Sequence, residues 1–216
     1  MKPIEYLIRT FCPPICVSCD EATGFYSTLP YCEECLKEIE ENRLFSIAEA
    51  VIPYVDCVYT MYDYESEAVK NSVFHIKKLF SPLFAAFYSE RVKEMFTLYD
   101  IRDKVDIVTY ATRRKVEYYR VGIDQAEEMS LTISKATGIP HMCTLERTRD
   151  SKKQRTLSPT ERAKNVENLF KATVDLKGKR ILLVDDVMTT GSTLSDCARA
   201  LREAGATSVL VLVFAT

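Results

Sequence analysis

The stretch Ile181-Leu182-Leu183-Val184-Asp185-Asp186-Val187-Met188-Thr189-Thr190-Gly191-Ser192-Thr193 decides the fold of this chain. Its four apolar residues, 181–184, predict a short buried strand, and two carboxylates follow at the carboxyl end of that strand. A loop rich in Thr, Ser and Gly then opens into the amphipathic segment 194–204, which predicts a helix. The order of strand, acidic pair, hydroxyl loop and helix therefore predicts an α/β unit with a ligand site at the strand end.

The loop from Thr189 to Thr193 has the chemistry of a phosphate site. Backbone N–H groups at a helix start lack partners within the helix, and the helix dipole places partial positive charge there. The loop hydroxyls would add donors, and Gly191 would let the backbone approach the ligand closely. Asp185 and Asp186 would repel a phosphate, so we expect them to face sugar hydroxyls or a hydrated cation. The alternative is an ordinary strand–turn–helix connection in which both carboxylates are solvated.

This thirteen-residue stretch resembles the phosphoribosyl pyrophosphate (PRPP) motif of type I phosphoribosyltransferases. In that family a hydrophobic strand, two acidic residues and a T-T-G-S/A-T loop hold the ribose 5-phosphate. The resemblance implies that Asp185 and Asp186 are catalytic residues and that the loop binds PRPP. The implied PRPP-binding residues are Thr189, Thr190, Gly191, Ser192 and Thr193.

The length and composition of the chain limit what it can be. Its 216 residues allow one ample α/β domain plus a small accessory module. The net charge of −2 provides no global basic field that would draw it to nucleic acid or to a membrane. Glu5 and Arg9 interrupt the apolar stretch at the start, so we expect no signal peptide and a cytoplasmic protein. In that reducing compartment, the eight cysteines indicate metal ligands and buried thiols before disulfides.

Two Cys-x₂-Cys pairs near the start, Cys16/Cys19 and Cys32/Cys35, are separated by twelve residues. Each pair can present two thiolates to one side of a tight turn, and two such knuckles complete a tetrahedral ligand set. We therefore expect a structural zinc ion here; the alternatives are an iron–sulfur cluster and unliganded thiols. Four thiolates leave no open coordination position, so the metal would stabilise the fold and take no part in catalysis.

The charge around these cysteines argues against a nucleic-acid contact. Residues 12–45 contain seven acidic side chains and only two basic ones. These residues are Asp20, Glu21, Glu33, Glu34, Glu38, Glu40 and Glu41, against Lys37 and Arg43. A phosphate backbone would be repelled, so we do not expect the zinc module to contact DNA directly. We expect instead a structural or protein-contact element.

Hydrophobic periodicity outlines the rest of the chain. It predicts a lead-in helix from Ile4, Leu7, Ile8 and Phe11; helices over 69–80, 84–99, 123–137 and 194–204; and strands at 56–64, 105–110, 140–145, 168–173, 181–184 and 208–214. Strands that alternate with helices predict a doubly wound, mostly parallel sheet with its ligand beyond the strand carboxyl ends. We expect two domains: residues 1–50, an amino-terminal helix with a zinc-ribbon-like Cys₄ module, and residues 51–216, a phosphoribosyltransferase-like domain.

Basic residues cluster after two of the predicted strands. Arg113 and Arg114 follow the strand at 105–110, and the polar segment 146–165 carries seven basic residues against three acidic ones. A loop of that length in a compact domain is either disordered or a lid over a functional site. As a lid it would neutralise a pyrophosphate leaving group, while for each residue alone the alternative is a solvated surface charge.

The whole order of motifs resembles the ComF family of competence-type, phosphoribosyltransferase-like proteins, over nearly the full chain. Besides the cysteine pairs and the PRPP motif, the resemblance includes Tyr62-Asp-Tyr64, Lys77, Gly122-Ile-Asp-Gln-Ala126, Arg147-x-Arg-Asp, Gln154-x-x-Leu-Ser158, Arg162 and Asn165. The candidates for binding pyrophosphate or forming the lid are Lys77, Arg113, Arg114, Arg147, Gln154 and Arg162. The chain departs from the family where Thr109-Tyr-Ala-Thr112 replaces Val-Pro-Val-Pro and where Val121-Gly-Ile-Asp-Gln125 replaces Arg-Gly-Phe-Asn-Gln.

The resemblance implies two functions of different classes. The first is a Mg²⁺-dependent phosphoribosyltransferase that binds PRPP or a related sugar phosphate, which the intact 181–193 motif favours. The second is a non-catalytic binding protein of DNA uptake that docks a competence helicase or a DNA-processing partner. The altered segments 109–112 and 121–125 slightly favour the second, because they lie near where type I enzymes bind pyrophosphate.

Overall fold

The computed structural model of the protein describes residues 13–49, 51–112, 122–148 and 168–216. The strands are β1 (Arg43–Glu49), β2 (Cys57–Tyr62), β3 (Ile107–Tyr110), β4 (Leu145–Arg147), β5 (Phe170–Ala172), β6 (Arg180–Val187) and β7 (Ser208–Ala215). The helices are α1 (Glu33–Glu41), α2 (Glu67–Ile76), α3 (Pro82–Leu98), α4 (Gln125–Thr137) and α5 (Ser192–Glu203), with a 3₁₀ turn at Arg102–Lys104. No helix among these residues is long and apolar enough to cross a bilayer.

Five of the strands form one mixed sheet in the order β1-β2-β7-β6-β3. Strands β2, β7, β6 and β3 are parallel, and β1 pairs antiparallel with β2 at one edge. The register of β1 shifts between Arg43 and Ser46, where Phe45 has a positive φ of 39°. The two central strands, β6 and β7, are buried over most of their length, as parallel strands covered on both faces must be.

Helices cover both faces of this sheet and divide the core into two parts. On one face, Leu182 and Val184 pack in a cluster with apolar residues of α2, α3 and α4. On the other, Ile181 and Leu183 pack with α5 and with the separate antiparallel pair β4–β5. The alternation follows from the two-residue period of a strand. The predicted doubly wound, mostly parallel architecture is confirmed.

Several helix boundaries follow from local chemistry that the sequence displays. The Ser66 and Ser81 hydroxyls accept hydrogen bonds from backbone N–H groups in the first turns of α2 and α3. Asp124 caps α4 in the same way, and the left-handed Gly138 (φ 72°) ends that helix. Each cap satisfies a backbone group that the helix itself leaves unpaired.

The strand expected at 140–145 is wrong in its bounds. Only one isolated bridge joins His141 to Val108, and β4 begins at Leu145, where it pairs with β5 outside the main sheet. Pro140 has no N–H to donate to a ladder. Beyond it, the Thr144 hydroxyl lies 2.8 Å from that of Thr109, so a side-chain pair stands where further backbone pairing was expected.

The amino-terminal segment shares the core of the main sheet. Cys16, Val17, Tyr31 and Ile39 belong to the same apolar cluster as α2 and α3, and β1 completes one edge of the sheet. The division of the chain at residue 50 stays a prediction, and β1 lies on the amino-terminal side of it. The expected lead-in helix lies outside the described residues.

A buried carboxylate attaches the β4–β5 pair to α5. Asp196, 6% exposed, accepts hydrogen bonds from the backbone N–H groups of Asn168 (2.9 Å) and Phe170 (2.8 Å). Its other partner is Arg199, whose Nη2 lies 2.8 Å from Oδ1. Because Phe170 begins β5, this carboxylate sets where the two-stranded sheet lies against the helix.

We expect Asp196→Ala to lower the free energy of unfolding by about 2–4 kcal/mol, because it leaves two backbone donors without their acceptor and removes the buried carboxylate that pairs with Arg199. The matched control is Glu203→Ala, which removes the exposed carboxylate that binds the same arginine at 2.7 Å. That change should stay within about 0.5 kcal/mol of the parent. Urea unfolding of both variants measures the difference, and equal losses would contradict the role given to Asp196.

Candidate functional site

The acidic pair lies inside β6, because the strand runs from Arg180 to Val187 and not only over the apolar residues 181–184. Successive side chains of a strand point to opposite faces of the sheet. Asp186 therefore shares a face with Leu182, Val184 and α4, and Asp185 lies on the α5 side. The sequence placed both carboxylates after the strand, at its carboxyl end, and the structure places them within its last residues, on opposite faces of the sheet.

Asp186 is buried and already has cationic and amide partners. Gln125 Nε2 donates to its Oδ2 at 2.7 Å, and Lys77 Nζ lies 3.0 Å from the same oxygen. The backbone N–H of Val187 donates to Oδ1 at 2.8 Å. Lys77 immediately follows α2 and Gln125 is the first residue of α4, so two helices reach this carboxylate. Lys77 remains 40% exposed and can also face a ligand.

Asp185 lies in a different electrostatic environment. Burial, and next the negative charge of Asp186, hold the pKa of Asp185 well above its usual range, while the positive charge of Lys77 acts in the opposite direction. Its Oδ1 accepts a hydrogen bond from the backbone N–H of Asp186 at 2.9 Å. A cation bound at this strand end would favour the ionised form of Asp185, because it would offset the repulsion between the two carboxylates.

The predicted phosphate loop connects β6 to α5. Thr189 and Thr190 are exposed, Gly191 is the residue before the helix, and Ser192 is its first residue. The Thr190 and Ser192 hydroxyls lie 3.0 Å apart. Thr193 follows in the first turn, so hydroxyls and helix-start N–H groups lie along one short segment beside the acidic pair.

Gly191 has a packing role besides the one expected from the sequence. Its φ of 69° lies in the left-handed region, and a Cβ built there would be 2.4 Å from Ile52 Cγ2. Any side chain at this position would therefore strain the backbone and collide with Ile52. Replacing Gly191 would therefore affect the packing of the domain as well as the approach of a ligand to the loop.

Arg147 lies at the same edge of the sheet. Its Nε donates to the backbone oxygen of Thr112 at 3.1 Å, and its guanidinium lies 4.9 Å from the Phe170 ring centre. Thr112 follows β3, the strand that pairs with β6. The backbone N–H of Ala111 donates to the backbone oxygen of Val184 at 3.1 Å, which continues the pairing of β3 with β6 just beyond the end of β3. Four further candidates, Arg113, Arg114, Gln154 and Arg162, lie outside the described residues.

Gln125 is a site residue that the sequence analysis did not single out as one. It was noted only as part of the family-like segment at the start of a helix. Its position directly after the cap Asp124 was the available signal, since a polar side chain at a buried helix start needs a partner. That the partner is Asp186, 61 residues away, follows only from the fold.

The four paired cysteines come together as the spacing predicted. Their sulfur atoms all lie within 4.8 Å of one another, and those of Cys19 and Cys32 are 3.7 Å apart. Tetrahedral zinc with Zn–S bonds of about 2.3 Å holds its sulfurs about 3.8 Å apart. Cys16 is fully buried, and Cys32 and Cys35 lie at the start of α1. The donor set fits a structural metal such as zinc.

Over part of its length the chain is similar to known proteins. Residues 122–216 match the phosphoribosyl transferase domain family. The chain is 35% identical over 97 residues to Competence protein F of Haemophilus influenzae, which covers 43% of this chain and 42% of that protein. It is 31% identical over 110 residues to the DNA utilization protein YhgH of Salmonella typhi, which covers 50% of this chain and 47% of that protein. These matches span less than half the length of either relative.

Among solved structures, glutamine phosphoribosylpyrophosphate amidotransferase from B. subtilis aligns with a TM-score of 0.41 and 22% identity. That alignment covers 65% of this chain and 30% of the other. The parallel sheet, the loop at the end of β6 and the domain match over 122–216 define a phosphoribosyltransferase-like protein. Over part of its length the chain is also similar to Competence protein F and to YhgH, as the resemblance to the ComF family implies.

We expect protein purified without chelator to carry about one zinc ion per chain, because four thiolates complete a closed tetrahedral site. Replacing Cys32 and Cys35 by Ser should remove the metal and lower the melting temperature, since metal binding contributes to folding directly. Cys143→Ser is the control, because that exposed cysteine lies outside the cluster. Elemental analysis decides: metal well below one equivalent, or unchanged in the double variant, would contradict the assignment.

We expect Gly191→Ala to lower the free energy of unfolding more than Gly178→Ala does. Both glycines have a positive φ, 69° and 74°, but a Cβ at Gly178 would meet nothing within 4 Å. The difference isolates the collision with Ile52 and should be about 1–3 kcal/mol. Thermal unfolding of the two variants measures it, and equal losses would show that Ile52 moves aside freely.

Proposed function

We propose that this protein binds PRPP or a related sugar phosphate, together with Mg²⁺, at the carboxyl edge of the sheet. The observation that carries the proposal is the joining of β6, its two aspartates and the hydroxyl loop to the start of α5. The phosphoribosyl transferase domain match over 122–216 includes all of these elements. The names of the relatives concern competence and DNA utilization, and they bear on the process that the protein serves and not on its ligand.

Each part of the site has a distinct task in this proposal. The loop 189–193 would hold the 5-phosphate through hydroxyls and the first N–H groups of α5. Asp185 and Asp186 would face the ribose hydroxyls, and carboxylate oxygens are ligands that suit Mg²⁺. The metal would supply charge neutralisation at the pyrophosphate. Lys77 and Arg147 would add positive charge on either side of the acidic pair.

The basic segment 146–165 is proposed as a lid. It begins at Glu146 and Arg147, beside the end of β3, and carries its remaining basic residues outside the described part of the chain. Closing such a segment over a polyanionic ligand would exclude water from the reacting carbon. Arg113 and Arg114, which follow Thr112 in sequence and lie outside the described residues, would add positive charge for the pyrophosphate.

In the second function the protein binds the same ligand but catalyses no reaction. The protein would then act in DNA uptake as a binding protein that docks to a competence helicase or another DNA-processing protein. The observation in its favour is that Lys77 and Gln125 both contact Oδ2 of Asp186, which leaves this carboxylate less able to bind a ribose hydroxyl or a cation. The acidic surface around the cysteines favours a protein partner there over DNA. A reducing, cytoplasmic location suits the free thiols of either function.

We expect PRPP to bind more tightly with Mg²⁺ than without it, and we expect Ser192→Ala to weaken binding by about fivefold. The lost hydroxyl would remove one phosphate donor, and one hydrogen bond contributes about 1 kcal/mol. Ser195→Ala is the matched control, because it removes a hydroxyl from the same helix one turn farther on. Titration calorimetry measures all three proteins.

No binding of PRPP by the parent protein, with or without Mg²⁺, would refute the proposal. Equal affinity of the two serine variants would refute the role of the loop. A pyrophosphate-release assay across free nucleobases then separates the two functions. Release with any base identifies a transferase, and binding without release identifies a ligand-binding protein.

A further inference from the structure

The segment that carries the four paired cysteines and α1, residues 16–41, is called the cysteine module. It contacts both ends of α2, the helix that is followed by Lys77, the partner of Asp186. At the amino end, Glu38 of α1 accepts hydrogen bonds through Oε1 from the Ser66 hydroxyl (2.8 Å) and the Ala68 backbone N–H (2.9 Å). Ser66 is itself the cap of α2. Glu38 therefore supplies a second acceptor to the helix start from a different part of the chain.

At the carboxyl end, the first cysteine pair reaches the same helix. Asp20, directly after Cys19, has its Oδ1 3.4 Å from His75 Nδ1, in the last turn of α2. Asp20 has a positive φ of 63°, so the turn that brings the cysteines together also aims this carboxylate. Lys77 is only two residues beyond His75.

Between these two contacts the two parts share buried apolar residues, while a pocket separates Pro13 and Pro14 from Leu79 and Pro82. Cys16, Val17 and Ile39 lie in one apolar cluster with Val69 and Ile76 of α2. The hydrogen bonds from Ala68 and Ser66 hold the pKa of Glu38 below its usual range, so the carboxylate is ionised at neutral pH. A negative charge at a helix start is favourable because of the helix dipole. Helix α2 thus contacts the cysteine module near both of its ends.

We infer that the cysteine module is a positioning element of the phosphate site: Glu38 and Asp20 hold α2 so that Lys77 stays in place beside Asp186. This inference rests on the proposed PRPP binding, and it adds that ligand affinity depends on residues that never touch the ligand. Binding of the metal would then also affect ligand affinity, because Glu38 follows Cys35 on the same helix and Asp20 follows Cys19 in the same turn.

The first measurement is PRPP affinity, with Mg²⁺ present, for Glu38→Ala, Glu38→Gln and Glu41→Ala. Glu38→Ala removes the acceptor of both hydrogen bonds to the start of α2 and should weaken binding by about fivefold, because Lys77 is then held less firmly. Glu38→Gln keeps the side-chain oxygen that accepts both bonds and should restore most of the affinity. Glu41→Ala removes an exposed carboxylate from the same helix, whose partner is Lys37, and should change nothing.

The second measurement is a double-mutant cycle between Glu38→Ala and Lys77→Ala. If Glu38 acts through Lys77, the double variant should bind PRPP no more weakly than Lys77→Ala alone. A general loss of stability would instead make the two effects add. His75→Ala tests the other end of α2 in the same cycle, and it stands in if Glu38→Ala does not fold.

Hydrogen exchange over residues 67–77 supplies a readout that needs no ligand. Glu38→Ala should speed exchange there, and Glu41→Ala should not. If the parent protein binds PRPP but Glu38→Ala neither weakens binding nor speeds exchange, the inference is overturned and the proposed function stands. If the parent does not bind PRPP, the proposed function fails, and unchanged exchange would then overturn the positioning of α2 as well.

Discussion

The burial of β6 is the constraint on which the rest of this structure depends. The strand lies between two parallel neighbours, β7 and β3, and its residues 181–184 are fully buried. A parallel strand in this position needs apolar cover on both faces, so helices must pack on each side of the sheet. Two aspartates follow the apolar run within β6, so polar groups lie at the carboxyl end of this strand. The place of the site follows from the burial that precedes it.

Features set by neighbours in sequence could be predicted well. The strand β7, the helix α5 and the end of α4 at Gly138 follow from apolar periodicity and one glycine, because these signals act within a single element. The cysteine cluster was predictable for the same reason, since each Cys-x₂-Cys turn forms locally. Joining two such turns needed only that the chain between them be short.

Features set by distant partners could not be predicted. The strand β1 has no signal that assigns it to the edge of the main sheet, because that pairing depends on β2 being there first. The contact of Gln125 with Asp186 and that of Gly191 with Ile52 likewise join segments that no local pattern relates. The segment 140–145 had the composition of a strand, but Pro140 and the Thr109–Thr144 pair gave its polar groups other partners.

The two margins of the five-stranded sheet are irregular in different ways, and this bears on whether another strand could pair with them. Beyond β3, the segment around His141 adds one bridge and the Met142 N–H bonds to Val108, which occupies that margin. Along β1, the register shift at Phe45 interrupts the regular spacing of outward N–H and C=O groups. A growing aggregate needs an uninterrupted template of such groups, and irregular margins withhold it. A protein that docked along either of these two margins would therefore depend more on side-chain contacts than on added backbone pairing.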